Sequence, residues 1–537
     1  MGRHDDVAVV DVPDSGKEAG GSMRQVEKSS PPNLPANLTL WQSSKKYKNV
    51  IWCCIGLTTT ILLYGYDYVI VGTTSAMPSF QRDFGRKLDG HWILPSLWLG
   101  LWTFASPGGS IIGALCGGQI QDLVGRRASI AIGSFLSATA VAICYVSYIP
   151  SDADARRGVF LAGKGFQGLA IGIVVTTTQT YMSEVLPPSL RGPILAFFPM
   201  FTLLGQLIGA AVIFGCIKMP NGYTVCFASM WPFSIVPMAV AYLIPESPAF
   251  LVRKHKMKEA LKAQRRLEPV DGDAQQTIDI LQRNIEDEKR LTKATYIDCF
   301  RHGNARRTLI VMFAGTLPQV FGLSLLAKAS YFAQVVGMSA NMSVILLIVG
   351  IVCGLLANTA SIWVLHLVGR RALSIYGLFG VALMWLTMGV SGIWREEPTI
   401  IYTAFCMISI IVIAGVSVWP ASYAIGAETS SLYLRGKTQG IGWLTAGASA
   451  SIFGFFLPYL YNSDAANLRS QIGFIFFALC VLSGILVYLY VPEMKGRTPA
   501  DIDRMFEAKL RAKDFKGWTI SSLSSSQMGE GEKRQEA

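Results

Sequence analysis

The chain has 537 residues, a formal net charge of +12, 51% hydrophobic residues and only 15% charged ones. A soluble domain carries about a quarter charged residues, so an ordinary soluble globular protein is excluded. The basic residues are spread along the edges of apolar runs instead of gathering on one face, which argues against nucleic acid as a partner and suits loops lying on anionic lipid.

Residues 1–48 are polar and contain no short apolar core followed by a small-residue cleavage site, so no removable signal peptide is expected. Twelve apolar runs follow, at 49–72, 94–119, 128–148, 158–184, 193–217, 225–244, 306–336, 343–366, 372–392, 400–428, 437–461 and 470–492. Each is long enough to cross a bilayer as a helix. The predicted organisation is an N-terminal tail (1–48), a six-helix bundle (49–244), a charged linker (245–305), a second six-helix bundle (306–492) and a C-terminal tail (493–537). In the linker, Met257–Leu267 and Asp273–Leu291 have helical periodicity with many surface charges and are predicted as short helices. The Ser-rich stretch Ser521–Ser526 belongs to a solvated tail. An even number of spans leaves both ends on one side. Arg126, Arg127, Arg191, Arg370, Arg371, Arg435 and Lys437 share that side, which makes it the cytoplasm.

Within the first run stands Asp67, in Leu63-Tyr64-Gly65-Tyr66-Asp67-Tyr68. An ionisable group at that depth is costly, so it faces a protein interior or a watery cavity and marks a proton or solute path. Seven of the ten cysteines (Cys53, Cys54, Cys116, Cys144, Cys353, Cys406 and Cys480) fall within spans and read as apolar packers. Cys216 and Cys226 bracket a short loop at 218–224; spacing alone leaves their pairing open. Without a CxxC pair or another ligand cluster, no metal and no cofactor is expected. Asn341-Met342-Ser343 is a glycosylation sequon placed on a short outer loop. No phosphate-binding loop of the GxxxxGK[ST] type is present, so ATP coupling has no support. The five histidines are scattered and no nucleophile–base cluster appears, so the chain is not read as an enzyme.

The two halves repeat each other. Gly118-Gln119-Ile120-Gln121-Asp122-Leu123-Val124-Gly125-Arg126-Arg127 follows the second run, and His366-Leu367-Val368-Gly369-Arg370-Arg371 follows the eighth, 244 residues on. Glu184 and Arg191 after the fourth run are matched by Glu428 and Arg435 after the tenth, at the same offset of 244. Pro245-Glu246-Ser247-Pro248 after the sixth has its counterpart in Pro492-Glu493 after the twelfth, offset by 247. A six-helix unit has been duplicated, and a substrate site between two such halves near the midplane is one known transporter plan.

These ordered motifs, GxxxDxxGRR, ExxxxxxRG, PESP and PExKGRT (Pro492 to Thr498), resemble those of the sugar porter family of the major facilitator superfamily over about residues 45–510. Within it, Gly65-Tyr66-Asp67, Ala76-Met77-Pro78-Ser79-Phe80-Gln81, Ser183-Glu184-Val185 and Leu204-Gly205-Gln206-Leu207-Ile208 are similar to fungal maltose/α-glucoside permeases. The resemblance implies an all-α membrane protein of twelve transmembrane helices in two pseudo-symmetric bundles.

It also implies roles for particular residues. Asp67 and Lys164 occupy the positions where proton-coupled members pair an aspartate with an arginine. A buried carboxylate requires such a partner, and lysine in place of arginine is a compact point charge that can itself lose a proton when buried. The plainer alternative is a permanent ion pair in a passive facilitator. Gln206, Gln319, Ser324 and Tyr423 match sugar-contacting positions, with Tyr66, Trp443 and Lys328 as further candidates; Lys328 either enters the cavity or snorkels to an interface. Asp122, Arg126, Glu184, Arg191, Glu246, Glu428, Arg435 and Glu493 form a cytoplasmic gate that pairs when the inner side is shut and separates when it opens, or act simply as topology determinants. The sequence departs from the family at Pro199, Pro318 and Ala446, where amides or other polar residues are usual, and His366 replaces an acidic residue. The expected function is a monomeric plasma-membrane carrier in the lipid bilayer, taking up a sugar or polyol with protons. The alternatives are a carrier or exporter of another hydroxylated metabolite, and a non-transporting sugar sensor.

Overall fold

The computed structural model describes residues 42, 45–88, 90–187, 190, 198–268, 273–291, 295–394, 396–431, 434–495, 497, 499–508 and 510–517. Among them are twelve helices long and apolar enough to cross a membrane. The first six are Lys48–Thr74, Ser96–Val124, Arg126–Val146, Ala153–Val185, Phe198–Cys216 and Gly222–Leu243. The second six are Asn304–Leu326, Ala340–Leu365, Arg370–Ser391, Glu397–Thr429, Gly436–Tyr461 and Arg469–Tyr490. The face where the first helix begins and the twelfth ends is called basal below, and the opposite face distal.

The helix ends explain the repeat. Gly125 (φ +98°) stops the second helix and Gly369 (φ +91°) stops the eighth. Both sit in the left-handed region, where an L side chain is strained. Both also leave room for a carboxylate: a Cβ would lie 2.5 Å from Glu246 Oε2 at Gly125 and 2.8 Å from Glu493 Oε2 at Gly369. The PESP and PE motifs therefore return to the GRR turns of their own halves.

Two spans are interrupted. The seventh breaks at Gly322 (φ +97°), continues as Leu323–Leu326, and resumes as Ala329–Val336 after Lys328. The tenth is offset at Ser417 between Glu397–Val416 and Val418–Thr429. The halves meet along the second and eleventh helices and along the fifth and eighth, with the first touching Ala329–Val336. On the distal side the chain after the first helix forms a short helix, Pro78–Phe84, and a two-stranded hairpin, Arg86–Leu88 with His91–Ile93. Phe80 and Phe84 stack at 4.4 Å there and pack edge-on against Trp102, Phe160 and Tyr223. On the basal side Pro248–Arg253, Met257–Leu267 and Ala274–Leu291 bury Phe250, Leu251, Ala260 and Ile278 among themselves. Pro499–Glu507 docks under the seventh helix through Asp503 with Arg307 and through Phe506 beneath the same guanidinium.

One local reading is corrected, and one that was left open is resolved. The eighth helix starts at Ala340, so the sequon lies in a helical turn and not on a loop. Asn341 is exposed, but Ser343 is fully buried, donating to Ala340 O (2.7 Å) and accepting from Gln334 (3.2 Å). Cys216 and Cys226 are neighbouring buried residues with free thiols, so they form no disulfide. Arg191 and Ser521–Ser526 lie outside the described residues, as do the side chains of Arg435 and His366.

Candidate transport site

Asp67 points into protein and not into lipid. It is 3% exposed, and Lys164 on the fourth helix is 1% exposed. Lys164 Nζ donates to Asp67 Oδ1, and the Ser106 hydroxyl of the second helix donates to Oδ2 at 2.5 Å. Small residues set this geometry. A Cβ on Gly168 would lie 2.2 Å from Ser106 O, and one on Gly113 would lie 2.0 Å from Leu169 O. The second and fourth helices thus touch backbone to backbone, as small-residue faces allow, and this contact delivers Ser106 and Lys164 to the same carboxylate. Two charges so far from water cost several kcal/mol each to desolvate, and only a close, hydrogen-bonded pair offsets that.

Three residues before Asp67 and one after it, Tyr64 and Tyr68 leave the first helix toward the second half. Tyr68 reaches Gln319 and Ser324 on the seventh helix, and the Ser324 hydroxyl itself donates to Gln319 Oε1 (2.5 Å). The break at Gly322 places those two side chains together. Tyr423 on the tenth helix and Trp443 on the eleventh pair with ring centroids 5.8 Å apart. Tyr423 is 42% accessible and lies near Tyr64 and Tyr68 of the first half, so these rings flank the space between the halves, called the chamber below. Gln206 lies at the same interface in an apolar recess with Leu203, Phe321, Leu323 and Trp419. The Trp419 indole N–H lacks an aligned acceptor, and the ring sits one turn from Tyr423. This is a site of few polar groups among many aromatic faces, the usual make-up of a small-molecule pocket.

Two candidates lie elsewhere. Tyr66 is fully buried, stacks near Phe233 (5.4 Å) and bonds Ser229 (2.5 Å), on the side of the first helix away from the chamber. A two-residue step along a helix turns a side chain by about 200°, so Tyr66 opposes Tyr64 and Tyr68. Lys328 neither snorkels nor joins Gln319: it is buried against Gly72 in the distal seam, where a Cβ on Gly72 would meet its Cγ at 2.6 Å. Sequence reasoning missed Ser106, Tyr64, Tyr68 and Trp419. The two tyrosines were detectable, standing three residues before Asp67 and one after it; Ser106 was not, because only the helix crossing reveals it.

The basal charges form two clusters, one in each half. Arg126 holds Glu184 in a two-pronged pair (3.0 and 2.8 Å) and reaches Asp122 (3.3 Å). Glu246 accepts from the backbone N–H groups of Arg126 (2.9 Å) and Arg127 (3.2 Å). In the second half Arg370 pairs with Glu428 (2.8 Å), and Glu493 accepts from the N–H groups of Arg370 and Arg371 (both 3.1 Å). Among the described residues these groups pair inside their own half. Hydrogen bonds between the halves run instead from the distal face down to Thr103, whose hydroxyl donates to Gly454 O (2.5 Å). The chamber is closed distally while both basal clusters are formed.

Twelve spans in two repeated halves around a buried chamber define a membrane transporter of the major facilitator type. The model of the Sugar (and other) transporter family matches residues 52–506, and the chain belongs to that family. It is 28% identical over 502 residues to the MFS transporter fmqE of Aspergillus fumigatus, covering 90% of this chain and 92% of that protein. It is 28% identical over 489 residues to the alpha-glucosides permease MPH3 of Saccharomyces cerevisiae, covering 88% and 80%. To the maltose permease MAL61 of the same yeast it is 25% identical over 537 residues, covering 97% and 85%. The inward open structure of the xylose transporter XylE from E. coli superposes with a TM-score of 0.70 at 18% identity, over 85% of this chain and 99% of that one, which establishes the shared fold.

Proposed function

We propose that the chain is a proton-coupled sugar carrier of the α-glucoside type, a monomer in the plasma membrane with its basal face in the cytoplasm. The observation that carries this reading is the buried Asp67–Lys164 pair with Ser106 on its second oxygen, within a turn of Tyr64 and Tyr68 on the same helix. A proton on Asp67 abolishes the ion pair, turns one carboxylate oxygen into a donor and weakens the acceptor that Lys164 and Ser106 share. The first, second and fourth helices then lose a common anchor, and the halves gain freedom to rock. Substrate between Gln206, Gln319, Ser324 and the Tyr423–Trp443 rings favours the closed arrangement through its own contacts, which is how a ligand shifts a conformational balance. The permeases among the relatives support α-glucosides as the first substrates to test. Asp122, Arg126, Glu184, Glu246, Glu428 and Glu493, with Arg191 and Arg435 beside them in sequence, stiffen the basal ends of the halves through each cycle.

The test is uptake of labelled hexoses, maltose, other α-glucosides and polyols into vesicles holding only this protein, with and without an imposed pH gradient. Uphill accumulation driven by the gradient is expected for wild type. Asp67→Asn is expected to lose accumulation and keep exchange; accumulation that persists in this variant removes Asp67 from coupling. A second reading, a carrier or exporter of another hydroxylated metabolite, is favoured by the aromatic lining and by Pro318 and Ala446 at positions where the family usually carries polar side chains. Efflux of an aromatic hydroxylated solute with no flux of any sugar would select it.

A further inference from the structure

The second helix begins without a cap of its own. Its N-cap residue is Pro95, which carries no side-chain acceptor, and no side chain from the same stretch bonds its first N–H groups. Helix starts need such acceptors, and an acidic group there is favoured by the helix dipole. The acceptor comes from the other half of the molecule. Asp464, in the distal turn between the eleventh and twelfth helices, accepts from the Ser96 backbone N–H at 3.0 Å and from the Ser96 hydroxyl. The same carboxylate accepts from Arg86 Nη2 on the distal hairpin (3.1 Å) and from Asn462 Nδ2 (2.9 Å). Its side chain is 6% exposed. Asn462, itself fully buried, extends the knot: Nδ2 also donates to Leu94 O (2.7 Å), and Oδ1 accepts from the Tyr331 hydroxyl of the interrupted seventh helix (3.1 Å). Gln81 with Gln334 (3.0 Å), and Ser330 on Gly72 O (3.2 Å), close the rest of the seam.

We propose that Asp464 is the positioning residue of the distal gate: it caps the second helix in trans, ties both halves together, and must let go before the chamber opens to the distal face. Three kinds of donor from the first half and its hairpin converge on this one anion. At the basal rim the ion pairs Arg126–Glu184 and Arg370–Glu428 each join residues of one half. A helix capped from across the seam loses its cap each time the halves part. Asp464 therefore sets the ratio of distally closed to distally open molecules. This inference rests on the family's transport activity and not on the sugar or on proton coupling.

The test measures distance directly. Spin labels at Ser151→Cys and Ser339→Cys, exposed distal positions on opposite halves, report opening in a Cys116→Ser background. Wild type is expected to populate mainly the short distance. Asp464→Ala is expected to raise the long-to-short ratio by roughly tenfold or more, the equivalent of losing one charge-assisted hydrogen bond or more. Arg86→Ala is expected to raise it less, and to add little on top of Asp464→Ala. Asp464→Asn, which keeps the shape and loses the charge, is expected to fall between, and it replaces Asp464→Ala if that variant does not fold. A melting temperature that drops while the distance ratio stays at the wild-type value would make Asp464 merely structural and overturn the proposal. So would full additivity of the Arg86 and Asp464 variants. No substrate is needed, so a failed sugar assay and a failed gate are told apart.

Discussion

Lysine 164 carries the sharpest consequence at the scale of single residues. Its ammonium and the Asp67 carboxylate are both hidden from water, so removing one partner strands the other. Lys164→Ala is expected to destabilise the protein by about 3–5 kcal/mol if Asp67 stays ionised. The double variant Asp67→Asn/Lys164→Gln is expected to recover most of that, since neither buried group then carries charge. Thermal unfolding in detergent of Asp67→Asn, Lys164→Gln and the double variant reads the coupling; additive losses would mean that the two side chains do not answer each other. The basal arginines differ in the same spirit. Arg126 is almost wholly enclosed and grips both Glu184 oxygens, whereas Arg370 is about one-sixth exposed and places both its nitrogens on one oxygen of Glu428. Lysine cannot reproduce a two-pronged grip. Arg126→Lys is therefore expected to lower the melting temperature more than Arg370→Lys does.

At the scale of elements, the crossing of the second and fourth helices governs the site. Gly113 lies directly on Leu169 O and Gly168 on Ser106 O. Gly113→Ala is expected to push the helices apart and to cost about 1–3 kcal/mol in overpacking, while drawing Ser106 away from Asp67. The check pairs melting temperature with gradient-driven uptake, and an unchanged melting temperature would show that the crossing is not tight. Gly72→Ala acts on another crossing: its methyl would strike Lys328 at Cα (2.8 Å) as well as along the flexible side chain, so the distal seam is expected to close less completely. In the spin-label pair above, this variant should shift population toward the long distance.

Much of this was legible beforehand, and the physics says why. Spans follow from the length and hydropathy of apolar runs, so twelve helices could be read from the chain. The repeat was legible because turn glycines, arginines and carboxylates recur at one offset, and the reason proved local: Glu246 and Glu493 each bond the backbone of their own GRR turn. Asp67 was legible because charge in an apolar run has no innocent place to go. What escaped was set by helix rotation and crossing. Tyr66 reads as well as Tyr64 in one dimension but faces the sixth helix. Lys328 could not be placed without knowing that the seventh helix breaks beside it. Ser343 looks like part of a loop until Ala340 is seen to start the helix. Asp464 has no motif at all, because its partners are 368 and 378 residues away in sequence.

At the scale of the whole molecule, Arg126–Glu184 and Arg370–Glu428 each lie within one half, and among the described residues the hydrogen bonds that cross between halves lie on the distal side. The halves can then pivot without breaking Arg126–Glu184 or Arg370–Glu428, and the work of a full swing falls on the distal knot and the apolar contacts below it. One expected outcome is that hydrogen exchange at the basal GRR turns stays slow in every conformation, while exchange at the start of the second helix quickens in conditions that favour distal opening. Equal quickening at both ends would mean that the halves deform and do not pivot.

An idle molecule built this way has a preferred posture. Among the described residues the polar fastenings shared by the halves lie at one rim, so anything arriving at that rim meets a door already shut. Loading from that rim would then begin with an unfastening, and the waiting time for that event, more than the grip on the cargo, would set how fast an empty carrier returns for another load.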